Sequence, residues 1–179
     1  MRPVIWLDPD ERTACKEYEA TVEDKPWIGN GNYTGLVKPE RWFVGRCGEM
    51  AVSKWATDLG LIFEETVNDQ GLPDSQDFIF CLENGQQYTI NVKNSHHLHA
   101  RYLMQPVAQF HEHSQHGYIG VTGADDGTRV GLQLWGMCPR SMFADQCETV
   151  MRSVETMQMR LLALPYSMDQ FASKIRKIQ

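Results

Sequence analysis

The amino-acid sequence predicts an α/β fold in which a central mixed β-sheet is flanked by helices. Residues 39–59 carry apolar side chains at steps of three and four, which is typical of a helix packed on a core. Two strand-like runs flank Asn84 and Gly85 and predict a β-hairpin. Helical and strand-like segments then follow one another to the end of the chain. This order favours layers of helix packed on a sheet.

The N-terminal region predicts a short helix followed by a loop. Residues 8–20 begin with an acidic, Pro-containing stretch that suits a helix start. Residues 25–32 contain Pro26 and a Gly- and Asn-rich run, which interrupts any periodic pattern. We therefore expect a loop between the first helix and the second.

The second helix is the most strongly patterned segment. Pro39 suits its first turn, because a first-turn N–H has no helical partner in any case. Its apolar positions are Trp42, Phe43, Cys47, Met50, Ala51, Trp55 and Leu59. Gly60 is placed to end the helix. A short strand at 61–63 and a turn at Pro73 and Asp74 are expected to follow.

The hairpin is predicted from residues 77–83 and 86–93. Asn84 and Gly85 both tolerate a positive φ, so they indicate a tight two-residue turn. Alternate side chains of a strand point to opposite faces. The second strand therefore divides into an apolar face, made of Tyr88, Ile90 and Val92, and a polar face, made of Thr89, Asn91 and Lys93.

The remainder of the chain predicts two more strands and three helical segments. The expected elements are a helix from Asn94 and Ser95 to about His113 with a kink or break at Pro106, strands at 118–122 and 130–135 joined by a turn at 125–127, a helix at 141–164, and a last helix at 168–178. No linker divides the chain. We expect one domain over residues 1–179, with a core at about 40–138 and C-terminal helices at 139–179.

Composition limits the class of protein. No apolar run approaches the roughly 20 residues of a membrane span, and the N-terminus does not resemble a signal peptide, so a soluble cytoplasmic protein is expected. The five cysteines form no C-x-x-C pair, which favours reduced structural residues. A net charge of −6 argues against a protein that coats nucleic acid nonspecifically, but it leaves a nuclease possible.

The hairpin and the helix before it carry residues suited to metal-dependent phosphodiester hydrolysis. That reaction needs oxygen ligands around Mg²⁺ or Mn²⁺ and a cation beside the attacked phosphate. Asp77 begins the first strand of the hairpin, and Asn91 and Lys93 share one face of the second. Glu49 lies on the helix expected to pack on the same sheet. Each also has an ordinary alternative: a turn aspartate, a loop-bonding asparagine, a surface lysine and a solvated glutamate.

Residues 40–138 resemble the PD-(D/E)XK nucleases. Asp77, a hairpin, and Ile90-Asn91-Val92-Lys93 are similar to the family's acid and acid-x-lysine signature, and Glu49 in Gly45–Glu49 is similar to its helical glutamate. Gln105 and Gln109, followed by the strand at 118–122, also match the family's order. The resemblance implies a restriction-endonuclease-like core, DNA as substrate, and Mg²⁺ or Mn²⁺ held by Glu49, Asp77 and Asn91, with Lys93 serving the attacking water.

Asn91 departs from the family pattern, which has Asp or Glu at this position. An amide oxygen ligates a hard cation without adding negative charge, so metal affinity should fall. Asn91 is therefore a working variant, a change that silenced the enzyme, or a sign of a different register. Three hypotheses remain: an active nuclease, a weakened or inactive nuclease-fold module that binds nucleic acid or a protein, and a purely structural domain.

Further residues are candidates for contact with nucleic acid. His96 and His97 follow Lys93 closely, and Gln105 lies in the expected downstream helix. Lys174, Arg176 and Lys177 provide cations that suit either a helix end or a phosphate backbone. The histidine spacings match no zinc motif and favour structural roles. A homodimer that places two sites on a duplex is compatible with the small size of the chain.

Overall fold

The computed structural model describes residues 2–22, 38–66, 77–95, 97, 99–152 and 154–178, with the backbone alone at residue 22 and at 38–41. The loop expected at 25–32, the turn at Pro73 and Asp74, and His96 lie outside the described residues. In the part of the chain that is described, no helix is long and apolar enough to cross a membrane.

The described residues form a mixed α/β structure. Its strands are β1 (Val4–Leu7), β2 (Phe63–Glu65), β3 (Phe78–Cys81), β4 (Gln87–Ser95), β5 (Tyr102–Pro106), β6 (Gly117–Asp125), β7 (Val130–Pro139), β8 (Glu148–Met151) and β9 (Glu155–Arg160). Its helices are α1 (Pro9–Val22), α2 (Lys38–Asp58), α3 (Val107–Glu112), α4 (Arg140–Gln146) and α5 (Met168–Ala172), with a 3-10 turn at Leu161–Ala163. The α/β class predicted from the sequence is confirmed.

A six-stranded sheet in the order β1-β7-β6-β4-β3-β2 organises the molecule. Strands β4 and β6 run parallel, and the other neighbours pair antiparallel, so the sheet is mixed. A parallel pair needs a crossover connection. Here the crossover contains β5 and α3, and β5 joins a second, three-stranded sheet in the order β5-β9-β8.

Two hydrophobic cores lie on opposite faces of the large sheet. The first contains Phe78, Phe80 and Ile90 of the hairpin together with buried residues of α1, α2 and α5. The second contains Tyr118 and Cys138 of the large sheet together with buried residues of the smaller sheet, α3 and α4. Because side chains alternate along a strand, the neighbours of the first-core residues point toward the second core.

Helix α2 confirms the predicted periodicity, and its length matches the expectation closely. Phe43, Cys47, Ala51 and Trp55 are all buried in the first core. Gly60 follows the helix with φ of 63°, a conformation that favours glycine. The helix therefore packs on the large sheet through these residues, whereas Leu59, also predicted in the stripe, follows the helix end and is 40% exposed.

The hairpin is confirmed, but its turn differs from the prediction. Tyr88, Ile90 and Val92 share the face that packs on the first core, as expected. The amide of Leu82 donates to the Gln86 carbonyl at 2.8 Å, and Gly85 takes a φ of 83° while Asn84 does not take a positive φ. This is the pattern of a three-residue loop whose last residue is left-handed, rather than the predicted two-residue turn.

Two helical predictions were wrong, and the last helix is shorter than predicted. Residues 94–113 continue β4 to Ser95 and then form β5 and the short α3, because β4 keeps pairing with β6 as far as Ser95. Residues 141–164 form α4, β8, β9 and the 3-10 turn, since the Met- and Gln-containing β9 is held between β5 and β8. The last helix ends at Ala172, beyond which residues 175 and 177 bridge to Leu82 and Leu61.

Candidate active site

Asp77 is fixed at the open end of the hairpin by both its backbone and its side chain. Its amide donates to the Ile90 carbonyl at 2.8 Å, and its carbonyl accepts from the Thr66 amide at 3.0 Å. Its carboxylate accepts a hydrogen bond from the Val92 amide. Val92 stands between Asn91 and Lys93, so the carboxylate lies against the segment of β4 that carries both of them.

Asn91 is a buried amide with an unused oxygen. The residue is 8% exposed, and its Oδ1 atom has no hydrogen-bond partner among the described residues. A buried polar atom without a partner costs about 1–3 kcal/mol of stability, so such atoms call for a physical explanation. An oxygen held in this state is available to a ligand that brings its own positive charge.

Lys93 lies two positions further along the same strand, beside Gly120 of β6. Burial lowers the pKa of its ammonium group, and the carboxylates of Asp77 and Glu49 act in the opposite direction by raising it. Lys93 is therefore close enough to both acids for their charges to matter. Burial has the larger effect and favours the neutral amine.

Glu49 reaches this region from α2. Arg46 Nη1 lies 3.0 Å from one of its carboxylate oxygens, and Arg46 also lies 3.4 Å from the carboxylate of Glu65. Burial raises the pKa of Glu49, with Glu65 adding to the rise, whereas the charges of Arg46 and Lys93 oppose it. The side chain still keeps 28% of its exposure, so solvent or an ion can reach it.

The structure adds Glu65 to the site, which sequence reasoning missed. Glu65 pairs with Phe78 across β2 and β3, next to the position where Thr66 bonds to Asp77. Its bond to Arg46 connects it with Glu49. An acid on the strand that precedes the hairpin was the available signal, but the sequence does not show that β2 pairs with β3 in this register.

His113 and Tyr118 were also missed as neighbours of the site. Burial lowers the pKa of His113, and the charge of Lys93 lowers it further. Tyr118 is fully buried and stands beside Asn91 in the β4–β6 register. Burial raises the pKa of Tyr118 to about 12, although nearby Arg140 and Gln115 favour its ionised form. Asn91 therefore borders a buried polar region beneath the smaller sheet.

The residues present offer a modest ligand set for a divalent cation. In the described part of the chain, no three His, Cys, Asp or Glu side chains are gathered to hold a metal. The predicted set contains two carboxylates, Glu49 and Asp77, and the amide of Asn91. The unpartnered Oδ1 of Asn91 fits a hard cation, which prefers oxygen ligands. Only the donor chemistry of these three side chains is compatible with Mg²⁺ or Mn²⁺, because Asn91 points to the face of β4 opposite the core in which α2 packs.

The residues predicted to contact nucleic acid fall in different places. His97 is exposed just beyond β4, near Lys93, whereas Gln105 is 2% exposed on β5. Lys174, Arg176 and Lys177 are exposed, but they lie beside the hairpin turn, where Glu83 N donates to the Lys174 carbonyl. The six residue steps from Gln87 to Lys93 span about 20 Å, so these cations are distant from the predicted site.

No protein-family model, curated protein or solved structure matches this chain. The candidate site is therefore defined by this structure alone. One hairpin carries Asp77, Asn91 and Lys93, and α2 brings Glu49 within electrostatic range of Lys93.

Proposed function

We propose that this protein is a metal-dependent nuclease that hydrolyses phosphodiester bonds in DNA. The observation that carries the proposal is the contact of the Asp77 carboxylate with the Val92 amide, between Lys93 and the unpartnered Asn91 oxygen. Other buried atoms, such as Gln105 Oε1 and Gln115 Oε1, also have no partner among the described residues, so what distinguishes the Asn91 oxygen is its place on β4 beside Asp77 and Lys93. An oxygen in this place suits a cation that also binds phosphate.

The order of elements supports a restriction-endonuclease-like core of the PD-(D/E)XK type. Helix α2 is followed by the antiparallel strands β2, β3 and β4, and the chain then crosses to β6, which pairs parallel with β4. This is compatible with the order that the sequence resemblance implies. The inserted strand β5 and the second sheet are additions to that order.

Each residue of the site has a proposed role. Glu49, Asp77 and Asn91 hold Mg²⁺ or Mn²⁺, which activates water and offsets phosphate charge when it is bound. Lys93 lies beside the site and would orient the attacking water; burial lowers its pKa, while the charges of Asp77 and Glu49 oppose that shift. In its ammonium form, it donates a hydrogen bond to a phosphate oxygen. Asp77 also fixes the strand segment that carries Lys93, through the Val92 amide.

Asn91 favours a second candidate, a weakened or inactive nuclease-fold module that binds nucleic acid or a protein. With an amide in place of a carboxylate, the site has one negative charge fewer to hold a divalent cation. The substitution Asn91→Asp separates the two candidates. An active but weak nuclease should gain metal affinity and cleavage, whereas a binding module should gain affinity for the metal alone.

The test is Mn²⁺-dependent cleavage of supercoiled plasmid and of linear DNA. We expect the wild-type protein or Asn91→Asp to cut and Lys93→Ala to lose about 10²–10³-fold in rate. Lys93→Met keeps most of the aliphatic stem and removes the charge, so it should lose a similar factor. Lys16→Ala is the matched control, because it removes one exposed lysine from α1, an element that carries none of the candidate site residues.

Calorimetric titration with Mn²⁺ and thermal unfolding accompany the cleavage assay. Loss of cleavage is assigned to the site only in variants whose unfolding temperature equals that of the wild-type protein. If neither the wild-type protein nor Asn91→Asp cuts DNA, and both remain folded, the nuclease proposal is wrong and the binding module becomes the better candidate.

A further inference from the structure

One part of the large sheet is left open on the face that carries Asn91 and Lys93. The smaller sheet and the 3-10 turn cover this face at Gly120, where an added Cβ atom would come within 2.7 Å of Leu161. Beyond that cover, toward the edge strand β1, the alternate residues Val4 and Trp6 are each 52% exposed. Residues 5 and 7 of the same strand point to the opposite, helix-covered face.

This open area carries two stacked pairs of arginine and tryptophan. The guanidinium of Arg129 lies 4.5 Å from the centre of the Trp6 ring, and that of Arg2 lies 4.2 Å from the centre of the Trp135 ring. The six-membered part of the Trp6 ring lies against Gly131 of β7, since a Cβ atom added there would be 2.8 Å from it. We call Arg2, Trp6, Arg129 and Trp135 the Arg–Trp surface.

A hydrogen bond to β6 holds the ring of Trp135 in place. Trp135 donates from its indole N–H to the Thr122 hydroxyl at 2.8 Å, which fixes its ring over β6. Thr122 is in turn the β6 neighbour of Ser95, two residues beyond Lys93 on β4. The Arg–Trp surface thus lies on the same face of the sheet as Lys93, although Thr122 between them is itself buried. The three strand spacings from β4 to β1 amount to about 14 Å.

We propose that the Arg–Trp surface binds single-stranded DNA and leads it to the candidate site, an inference that rests on the proposed nuclease function. The half-exposed indole of Trp6 can stack on an unpaired base, whereas Trp135 is partly buried against the second core and mainly positions Arg2. The bases of a duplex are already stacked on each other. Arginines beside these rings meet phosphates. The formal net charge of the chain is −6. Two exposed arginines on one face of the sheet therefore place positive charge where a polyanion can bind.

Asp126, the acidic residue next to this surface, does not prevent Arg129 from binding a phosphate. Arg129 lies 3.5 Å from Asp126, but the two side chains keep 59% and 56% of their exposure. An ion pair in such contact with solvent contributes little, so Arg129 can exchange Asp126 for a phosphate at small cost. For Arg2, the stacking contact with Trp135 holds the guanidinium in place on the open face.

Binding of fluorescein-labelled single-stranded DNA in EDTA tests the proposal apart from cleavage. We expect Trp6→Leu to weaken binding roughly five- to hundredfold, through loss of a stacking ring, and Trp6→Phe to retain most of it. Arg2→Ala and Arg129→Ala should each flatten the dependence of log affinity on log salt by roughly 0.7. Arg160→Ala removes an exposed arginine from β9 and serves as the matched control.

The outcomes separate this inference from the nuclease proposal. Binding that depends on Trp6 without any cleavage supports the surface while the nuclease proposal fails. Equal binding by wild type, Trp6→Leu and Arg2→Ala overturns the surface, whatever the cleavage assay gives. Tighter binding of RNA than of DNA also overturns it as stated. A change from dimer to monomer in Trp6→Leu, seen by sedimentation without DNA, would instead assign the surface to a second copy of the chain.

Discussion

Two glycines of α2 give a sharp test of how this helix packs on the sheet that carries the candidate site. Gly45 and Gly48 both lie inside the helix, one turn apart. A Cβ atom added at Gly45 meets nothing within 4 Å, whereas one added at Gly48 would lie 2.6 Å from Cβ of Asn94. The same substitution, glycine to alanine, should therefore have opposite effects at the two positions.

The magnitudes follow from these contacts. Alanine in place of glycine inside a helix contributes about 1 kcal/mol of stability, which Gly45→Ala should show in full. Gly48→Ala must displace Asn94, at an overpacking cost of about 1–3 kcal/mol. It also disturbs the bond from Asn94 Nδ2 to the Val44 carbonyl, which is 2.7 Å long. That bond contributes about 0.5–1.5 kcal/mol, so the net effect of Gly48→Ala is a loss of about 0.5–3.5 kcal/mol.

Urea unfolding followed by circular dichroism measures the difference, and thermal unfolding gives a second reading. For a chain of this size, the two variants should differ by at least about 3 °C in Tm, with Gly45→Ala the more stable. The double variant should lie near the sum of the two, apart from coupling across one helical turn. A Gly48→Ala protein as stable as Gly45→Ala would refute the close approach of α2 to β4. It would also place Glu49 in doubt, because Glu49 is the next residue on that helix.

Three further predictions concern other contacts in the fold. Arg12 binds the Asp125 carboxylate at 2.8 Å through two nitrogens and lowers its pKa. Because the pair is partly screened by solvent, Asp125→Asn should lower the free energy of unfolding by about 1 kcal/mol, measured by urea unfolding at neutral pH. This difference should shrink as the pH falls below 3.8, the ordinary pKa of the carboxyl group, toward its lowered pKa in the folded protein. Asp145→Asn, at an exposed position of α4, is the control. Ser167→Ala removes a capping box from α5 and should cost about 0.5–2 kcal/mol by the same assay, with no loss disproving the cap. Gly136→Ala should cost more than Ser167→Ala, because φ is 151° there and a Cβ atom would lie 2.4 Å from the Tyr166 carbonyl; a higher Tm would contradict this geometry.

The sequence was sufficient for the elements whose pattern is local. The apolar stripe of α2 and the alternation along β4 follow from residue spacing alone, and both are confirmed. Residues 141–164 were predicted wrongly, because Met, Leu and Gln are good helix formers and nothing local shows that β9 pairs on both sides. The turn at Asn84 and Gly85 was placed correctly, but its length depends on which carbonyl accepts from Leu82.

The candidate site illustrates the same limit at the level of side chains. Spacing along β4 placed Asn91 and Lys93 on one face, but it could not show what covers that face. The cover is the smaller sheet, built from segments distant in sequence, so neither the burial of Asn91 nor its position beside Tyr118 was predictable. Glu65 was missed for a related reason, since its place beside Asp77 depends on the register of β2 against β3.

Partial cover of one sheet face connects the two proposals. The smaller sheet extends far enough to bury Asn91 and to lower the pKa of Lys93 through burial, and it stops before β1, where Trp6 remains half exposed. A sheet covered completely would bury the site beyond the reach of a polymer. A sheet left bare would not desolvate Lys93, and its amine would stay protonated and strongly hydrated. Burial at Asn91 together with exposure at Trp6 is therefore the arrangement on which both proposals depend, and the binding and cleavage assays test its two parts independently.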